Sequence, residues 1–176
     1  MGQAASGSLT QLDVDDLIAH TDGVFNQGEI EGLYSRFRTL DRGRKGYISA
    51  DEFLTIPELS INPIAPRLVR LFDSINFRDF VKMLASFSPR AKREAKLKVM
   101  FEVYDIDGDG IITRDDMTVM LRQLAGSSLS DSDLRGIIEA ALTEAGAPNG
   151  LNLAAFTAGL ADADLSNMTV EFPVEF

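Results

Sequence analysis

The chain has 176 residues, of which 45% are hydrophobic, so it is long enough for one or two small domains with packed cores. Its formal net charge of −10 disfavours nucleic acid, whose phosphates it would repel, and favours cations or basic partners. The sequence contains no cysteine, which excludes disulfides and thiolate metal sites. No run of about 18 apolar residues is present, so no transmembrane helix is expected.

The N-terminus matches a myristoylation signal. Removal of Met1 exposes Gly2, and Ser6 stands at the position where serine or threonine is required. The alternative, an unmodified disordered tail, stays open. No lysine or arginine precedes Arg36, so a myristoyl chain on Gly2 would lack a basic patch and would bind a membrane only weakly and reversibly. Stable attachment would therefore need a partner protein.

Two helices are predicted before the first loop of interest. Leu12 to Ile18 form a short acidic helix with Asp13 as its N-cap. Apolar residues recur at helical spacing from Glu29 to Leu40, which predicts a longer amphipathic helix. This second helix leads directly into the loop that begins at Asp41.

Residues 41–52 have the frame of an EF-hand, a twelve-residue cation loop between two helices, with aspartate at position 1, glycine at 6 and glutamate at 12. Gly43 offers no oxygen at position 3, and Lys45 places a cation at position 5, where it would repel a metal ion. We predict that this loop is kept for its fold and binds no metal. A helix from Ala50 to Ile56 should follow and end before Pro57.

The next helix–loop–helix unit is shortened. After a predicted helix that contains Leu68 and Phe72, only two residues precede Ile75, so positions 3 and 5 of a cation loop are missing and no metal site can form. Ile75 corresponds to position 8 of such a loop, and we expect it to pair with Ile48 in a short antiparallel strand. An amphipathic helix is predicted to continue from Phe77.

A basic segment, residues 88–98, separates the two halves of the chain and holds five of the seventeen lysines and arginines. It is interpreted as a solvated linker and helix start. A contact for an acidic partner or an anionic lipid is the alternative.

Residues 105–116 form the one complete cation loop predicted from the sequence. Aspartates alternate at positions 1, 3 and 5, Gly110 supplies the turn at position 6, and a hard dication prefers such oxygen ligands. An acidic surface turn would not explain the glycine followed by an apolar residue at position 8. The expected ligands are Asp105, Asp107, Asp109, the carbonyl of Ile111, Thr113 directly or through a water, and Asp116.

Position 12 of this loop departs from the usual pattern. Asp116 stands where glutamate normally gives both oxygens to Ca²⁺, and its side chain is one methylene shorter. We expect it to give one oxygen, which lowers the coordination number towards six. One Ca²⁺ site is predicted, and Mg²⁺ is an alternative occupant because it prefers six ligands.

A fourth unit begins with a predicted helix that has Asp131 as its N-cap, followed by a loop at residues 144–155. This loop lacks carboxylates at positions 3, 5 and 12, so no metal is expected there. Leu151 occupies position 8 and is predicted to pair with Ile112.

Four repeats in two pairs predict an all-α fold, with two lobes of paired EF-hands and short antiparallel strand pairs between loops. The proposed segments are a myristoylated N-terminal segment with a short helix (1–24), an N-lobe (25–88), a C-lobe (89–161) and an extended tail (162–176). Alternating apolar residues in the tail, with Pro173 preventing a helix, predict that residues 168–176 pack on the protein body or on a partner. A frayed end is the alternative.

The order of these features resembles calcineurin B and, more closely, the calcineurin B homologous proteins. The resemblance covers essentially the whole chain and is most specific in its first half, where it rests on Leu33 to Phe37, Leu40-Asp41, Gly46, Phe53, Ile56 to Leu59 and Ile61 to Pro63.

This resemblance implies a noncatalytic subunit that holds an amphipathic helix of a partner in an apolar groove, and the acidic charge of this chain favours a helix with basic flanks. Partner types of that family are the calcineurin phosphatase chain, sodium/proton exchangers and a glycerolipid acyltransferase. It also implies a cytoplasmic protein at the cytosolic face of a membrane. Calcineurin B homologous proteins typically bind metal in the third and fourth EF-hands, whereas this chain keeps the ligands of the third alone. The calcium responsiveness of that family is therefore not expected in full here.

Three function classes follow from the sequence. A regulatory metal-sensing subunit is the first, and a constitutive structural subunit with a Mg²⁺-occupied or calcium-insensitive site is the alternative. The third class, an enzyme, is disfavoured because the chain has one isolated histidine, no cysteine and no pairing of a nucleophile with a base.

Overall fold

A computed structural model describes residues 9–55, 67 and 74–166. These residues form eight helices and two short strands, which confirms the predicted all-α fold of helix–loop–helix units. The helices are α1 (Gln11–His20), α2 (Gln27–Leu40), α3 (Ala50–Phe53), α4 (Phe77–Ser86), α5 (Arg93–Tyr104), α6 (Arg114–Ala125), α7 (Asp131–Glu144) and α8 (Leu153–Gly159), and the strands are β1 (Tyr47–Ile48) and β2 (Ile75–Asn76).

The chain divides into two compact units, and the second comprises Arg93–Leu165. In the first unit, α1 to α4 and both strands surround a core of large apolar side chains, among them Ile30, Leu33, Phe37, Phe80 and Leu84. In the second unit, α5 to α8 surround a core that includes Leu97, Met120, Leu134, Leu142 and Phe156. The predicted limits of the four segments stay predictions.

Aromatic side chains join α2 to α4 in the first unit. The ring of Phe37 lies 5.4 Å from that of Phe77 and 5.6 Å from that of Phe80, measured between centroids. Tyr34 meets Phe77 edge to face at 4.9 Å. Each such pair contributes about 0.5–1.5 kcal/mol beyond the burial of its area. The helices on either side of the first two loops are therefore fixed to each other by their aromatic faces.

Both predicted loop pairings are confirmed. Ile48 lies opposite Ile75 in the antiparallel pair of β1 and β2. Ile112 and Leu151 form an isolated antiparallel bridge, in which the amide of Ile112 donates to the carbonyl of Leu151 at 2.8 Å and the reverse bond measures 2.9 Å. Ile48, Ile75 and Ile112 are all buried. The bridge between Ile112 and Leu151 joins the third loop to the fourth.

Several helix starts differ from the prediction by a few residues. The N-cap of α1 is Thr10 rather than Asp13, which instead accepts the backbone N–H of Thr10 at 3.0 Å and so closes a capping box. In the same way Asn26 caps α2, which begins at Gln27 rather than Glu29. The N-cap of α7 is Ser130 rather than Asp131, because the Ser130 hydroxyl accepts the amide of Asp133.

The helix after the first loop is shorter than predicted. α3 ends at Phe53 rather than Ile56, because Thr55 turns back on Glu52 through a backbone bond of 3.1 Å and a hydroxyl bond of 2.6 Å to the same carbonyl. Four other predictions lie outside the described residues. They are the modification of Gly2, the proline stop at Pro57, the helix with Leu68 and Phe72, and the packing of 168–176.

Candidate metal centre

Three aspartates of the third loop converge on one point. Asp105, Asp107 and Asp109 each bring a carboxylate oxygen to within 4.8 Å of the others, and this is the one such acidic cluster among the described residues. Asp105 is only 6% exposed, whereas the other two are open to solvent. Three carboxylates so close together repel one another unless a cation lies between them. The donor set, all hard oxygens, fits Ca²⁺ or Mg²⁺.

The backbone of the loop holds these carboxylates in place. Gly108 and Gly110 have positive φ angles of 75° and 86°, and each donates its amide at 2.9 Å to one oxygen of Asp105. The amide of Ile111 donates to Asp109 at 2.8 Å. A carboxylate oxygen that accepts one hydrogen bond keeps a lone pair for a metal ion. The loop thus orients its acidic side chains through bonds within itself.

Asp116 closes the loop from its other end. It is 5% exposed, and its Oδ1 accepts the amide of Ile106 at 3.1 Å. Its Oδ2 accepts both the amide of Thr113, at 2.7 Å, and the Thr113 hydroxyl, at 2.6 Å. Both oxygens are therefore engaged by the loop. Asp116 ties the second residue of the loop to the ninth and also completes the capping box of α6.

The sequence-based interpretation treated Asp116 only as a ligand and missed this second role. The signal for it was present, because Thr113 and Asp116 have the spacing of a capping box. Of the other predicted ligands, Ile111 lies in the loop beside Asp109, and the Thr113 hydroxyl points at Asp116. The ligand assignments stay predictions.

Arg114 connects the third loop to the fourth. Its guanidinium donates to both carboxylate oxygens of Glu139, at 2.6 and 3.1 Å, and to the carbonyl of Pro148 at 2.6 Å. This pairing lowers the pKa of Glu139 and raises that of Arg114, and in both residues the mutual hydrogen bond is the main cause. The sequence-based interpretation did not single out Arg114, since an arginine at position 10 of a cation loop is not a ligand.

Three residues of the basic segment have partners within their own unit. In the first unit, Arg90 pairs with Glu29 and Lys92 with Asp22. In the second, Arg93 donates to three carbonyls near the end of α8, those of Leu160, Ala161 and Ala163. Cations at a helix C-terminus satisfy unpaired carbonyls. These three side chains therefore have structural roles. Across the part of the chain that the structure describes, no helix has the length and apolarity needed to span a membrane.

Comparison with known proteins gives consistent matches. A family model described as an EF-hand domain matches residues 96–139. The type 2 B subunit of calcineurin from Dictyostelium discoideum is 44% identical over 127 residues, 69% of each chain. The calcineurin B subunit of Naegleria gruberi is 39% identical over 145 residues, 80% of this chain and 81% of its own. The calcineurin B subunit of Candida glabrata is 38% identical over 143 residues, 78% and 81% of the two chains.

Proposed function

The chain belongs to the calcineurin B family, and from that premise we propose that it is a noncatalytic, calcium-binding regulatory subunit of a larger complex. The observation that carries the proposal is the cluster of three aspartates, held in a loop that is bridged to the fourth loop at Ile112 and Leu151. The relatives are named as the B subunit of calcineurin, which supports a role beside a catalytic chain rather than catalysis by this chain itself.

The proposed metal site lies in the third loop and takes one divalent cation per chain. Its ligands are Asp105, Asp107, Asp109, the Ile111 carbonyl, Thr113 and Asp116. When bound, the cation neutralises the negative charge of the aspartates and takes part in no reaction. Calorimetric titration with Ca²⁺ should give one site. Two or more tight sites would contradict the proposal.

The proposed partner is an amphipathic helix with basic flanks. The net charge of −10 suits such flanks, and Val119, Leu124 and Ile137 expose apolar side chains on α6 and α7. By the name of its relatives, the first candidate is the catalytic chain of calcineurin. A membrane transporter or an acyltransferase is a further candidate, from the resemblance of the sequence to calcineurin B homologous proteins.

Partner binding is tested with a calcineurin catalytic chain and with a basic amphipathic peptide. Complex formation is measured by calorimetry, and a scrambled peptide of equal charge, which has no apolar face, is the control. Ile137→Ser should weaken binding, because Ile137 is 44% exposed on α7. Leu12→Ser is the matched surface control, since Leu12 is 79% exposed in the other unit. Equal affinities for the ordered and the scrambled peptide would argue against a helix-binding groove.

A second candidate is a constitutive subunit that binds its partner whether or not calcium changes. The shorter side chain at position 12 favours it, because Asp116 is expected to give one oxygen rather than two, and a site that lacks a bidentate ligand selects weakly for Ca²⁺ over Mg²⁺. Titration of Ca²⁺ in millimolar Mg²⁺ separates the two functions. Micromolar affinity supports sensing, whereas failure of Ca²⁺ to displace Mg²⁺ supports the constitutive role.

We also propose that Gly2 is myristoylated and that the protein works in the cytoplasm, peripherally at the cytosolic face of a membrane. The N-terminal sequence supports the modification. A single acyl chain binds reversibly, so the partner would complete the attachment. Intact mass spectrometry of protein from its own cells, compared with Gly2→Ala, tests the modification. An unmodified wild-type N-terminus would refute it.

A further inference from the structure

Lys45 folds back into its own loop. Its ammonium lies 2.8 Å from Oε2 of Glu52, so the side chain at position 5 of the first loop pairs with the side chain at position 12. In a metal-binding loop, positions 5 and 12 both give carboxylate oxygens to the cation. The ammonium also lies 4.7 Å from the centroid of the Tyr47 ring, at position 7. A positive charge thus lies beside the carboxylate that, at position 12 of a metal-binding loop, would bind the cation.

The backbone of the first loop matches that of the third. At position 6, the φ angle of Gly46 is 83° and that of Gly110 is 86°. At position 4, Arg44 has a positive φ of 50° and Gly108 has 75°. A left-handed conformation is unfavourable for arginine, so the loop imposes it. The first loop keeps the path of a cation loop although it lacks the ligands at positions 3 and 5.

The ends of the two loops match as well. Asp41 at position 1 accepts the amide of Gly46 at 2.7 Å, as Asp105 accepts that of Gly110 at 2.9 Å. At position 12, Glu52 accepts the amide of position 9 at 2.9 Å, and Asp116 does the same at 2.7 Å. The first and the last carboxylate of the first loop are therefore held in the orientation found in the third loop.

Gly43, at position 3, makes room for the lysine. A Cβ atom there would lie 3.2 Å from Cγ of Lys45 and 3.3 Å from its Cδ and Cε. The stem of Lys45 thus runs across the space in which a ligand at position 3 would begin. Glycine at position 3 and lysine at position 5 fit each other, and together they replace two ligands by one tethered cation.

We propose that the ammonium of Lys45 is an internal substitute for a bound divalent cation and keeps the first loop in its closed, cation-bound form. The loop then holds its shape at any concentration of free Ca²⁺ or Mg²⁺. Any response to calcium is confined to the second unit. This assignment concerns the first unit alone and does not depend on the function proposed above.

The first test removes the charge and keeps the stem. Lys45→Met leaves Glu52 without its cation, so the thermal midpoint measured in chelator should fall by several degrees and exchange of the Ser49 amide, which donates to Glu52, should become faster. Arg42→Met, in the same loop with an exposed side chain, is the control for loss of a positive charge and should change neither quantity. Equal midpoints and equal exchange in the two variants would overturn the proposal.

The second test converts the loop into a metal site. Gly43→Asp with Lys45→Asp restores carboxylates at positions 3 and 5, and calorimetry with Ca²⁺ should count one site more than in the parent protein, whatever number the parent binds. Gly43→Asp alone keeps the ammonium and should add none. Tb³⁺ luminescence excited through tyrosine should locate the new site, because Tyr47→Phe in the double variant would reduce the added signal. A folded double variant with an unchanged number of sites overturns the proposal.

Discussion

Gly150 lies so close to Ile111 that a Cβ atom at Gly150 would come within 2.6 Å of the Ile111 Cγ2 atom. The same Cβ would lie 2.9 Å from the carbonyl oxygen of Ile112. Gly150 also has a φ of 124°, which a side chain would strain. The fourth loop, which has no carboxylate at positions 3, 5 and 12, therefore packs closely against the third. Its glycine admits the residue whose carbonyl is expected to bind the cation.

Gly150→Ala should lower both stability and metal affinity. The added methyl meets backbone as well as side chain, so we expect a loss of about 1–3 kcal/mol in the free energy of unfolding. Displacement of Ile111 should also weaken Ca²⁺ binding. Gly136→Ala in α7 is the control, because a Cβ there meets nothing within 4 Å. It should stabilise the helix by about 0.5–1 kcal/mol. Chemical denaturation and calorimetry measure both effects.

Substitution of Asp41 and of Asp105 should distinguish an effect on loop stability from an effect on metal binding. The structure buries the Asp41 carboxylate to 5% exposure and bonds it to the amides of Lys45 and Gly46. We therefore expect Asp41→Ala to reduce stability by about 1–3 kcal/mol. Metal stoichiometry should not change.

Asp105→Ala should abolish cation binding, because Asp105 is the buried member of the acidic cluster. Calorimetry of the two variants with Ca²⁺ provides the comparison. Loss of binding in Asp41→Ala together with retained binding in Asp105→Ala would show that the cation binds in the first loop instead.

Asp116→Glu should raise the affinity for Ca²⁺ and the selectivity over Mg²⁺. The first loop shows why a glutamate can do so: the hydrogen bonds from the Ser49 amide, the Ser49 hydroxyl and Lys45 all reach a single oxygen of Glu52. A glutamate at 116 could cap α6 with one oxygen and offer both lone pairs of the other to the metal, whereas each oxygen of Asp116 already accepts at least one hydrogen bond. One additional ligand corresponds to roughly tenfold in the dissociation constant. Weaker Ca²⁺ binding by the variant would show that the aspartate is the better ligand here.

The pair of Lys45 and Glu52 should give the first unit a defined pH dependence. The hydrogen bond from Lys45, followed by that from the Ser49 amide, lowers the pKa of Glu52 from 4.5 to about 2. Because the folded pKa is depressed, the stabilisation is present above about pH 4.5 and is lost as the pH falls towards 2. The difference in unfolding free energy between wild type and Lys45→Met, measured in chelator, should shrink over this range. A difference that stays constant with pH would contradict it.

The sequence predicted the features that depend on spacing. The apolar residues at position 8 could be matched as pairs because that residue is kept in every loop, including the shortened second one, and Ile48 and Ile75 do lie opposite each other. The family assignment is confirmed by relatives that share 38–44% of their residues with the aligned parts of this chain. The convergence of Asp105, Asp107 and Asp109 agrees with the alternation read from the sequence.

The sequence did not predict features that depend on the reach of a side chain in the folded loop. Lys45 was interpreted only as a charge that repels metal, because its pairing with Glu52 exists only once the loop has closed. Asp13 was taken as an N-cap because aspartate favours that position, but it competes with Thr10, whose hydroxyl accepts the Asp13 amide. Arg114 has no local signal, since its partners Glu139 and Pro148 come from distant parts of the sequence.

The capping contacts also bear on the order of folding. At four helix starts a carboxylate accepts the amide of the residue three positions earlier, and the accepting residues are Asp13, Glu29, Glu52 and Asp116. Such local contacts close in microseconds or less, whereas the bridge between Ile112 and Leu151 must close a long stretch of chain. Because Asp116 belongs to a helix start, we expect its contacts with Thr113 to form before that bridge. A cation that binds only the completed loop would therefore slow unfolding far more than it would speed refolding.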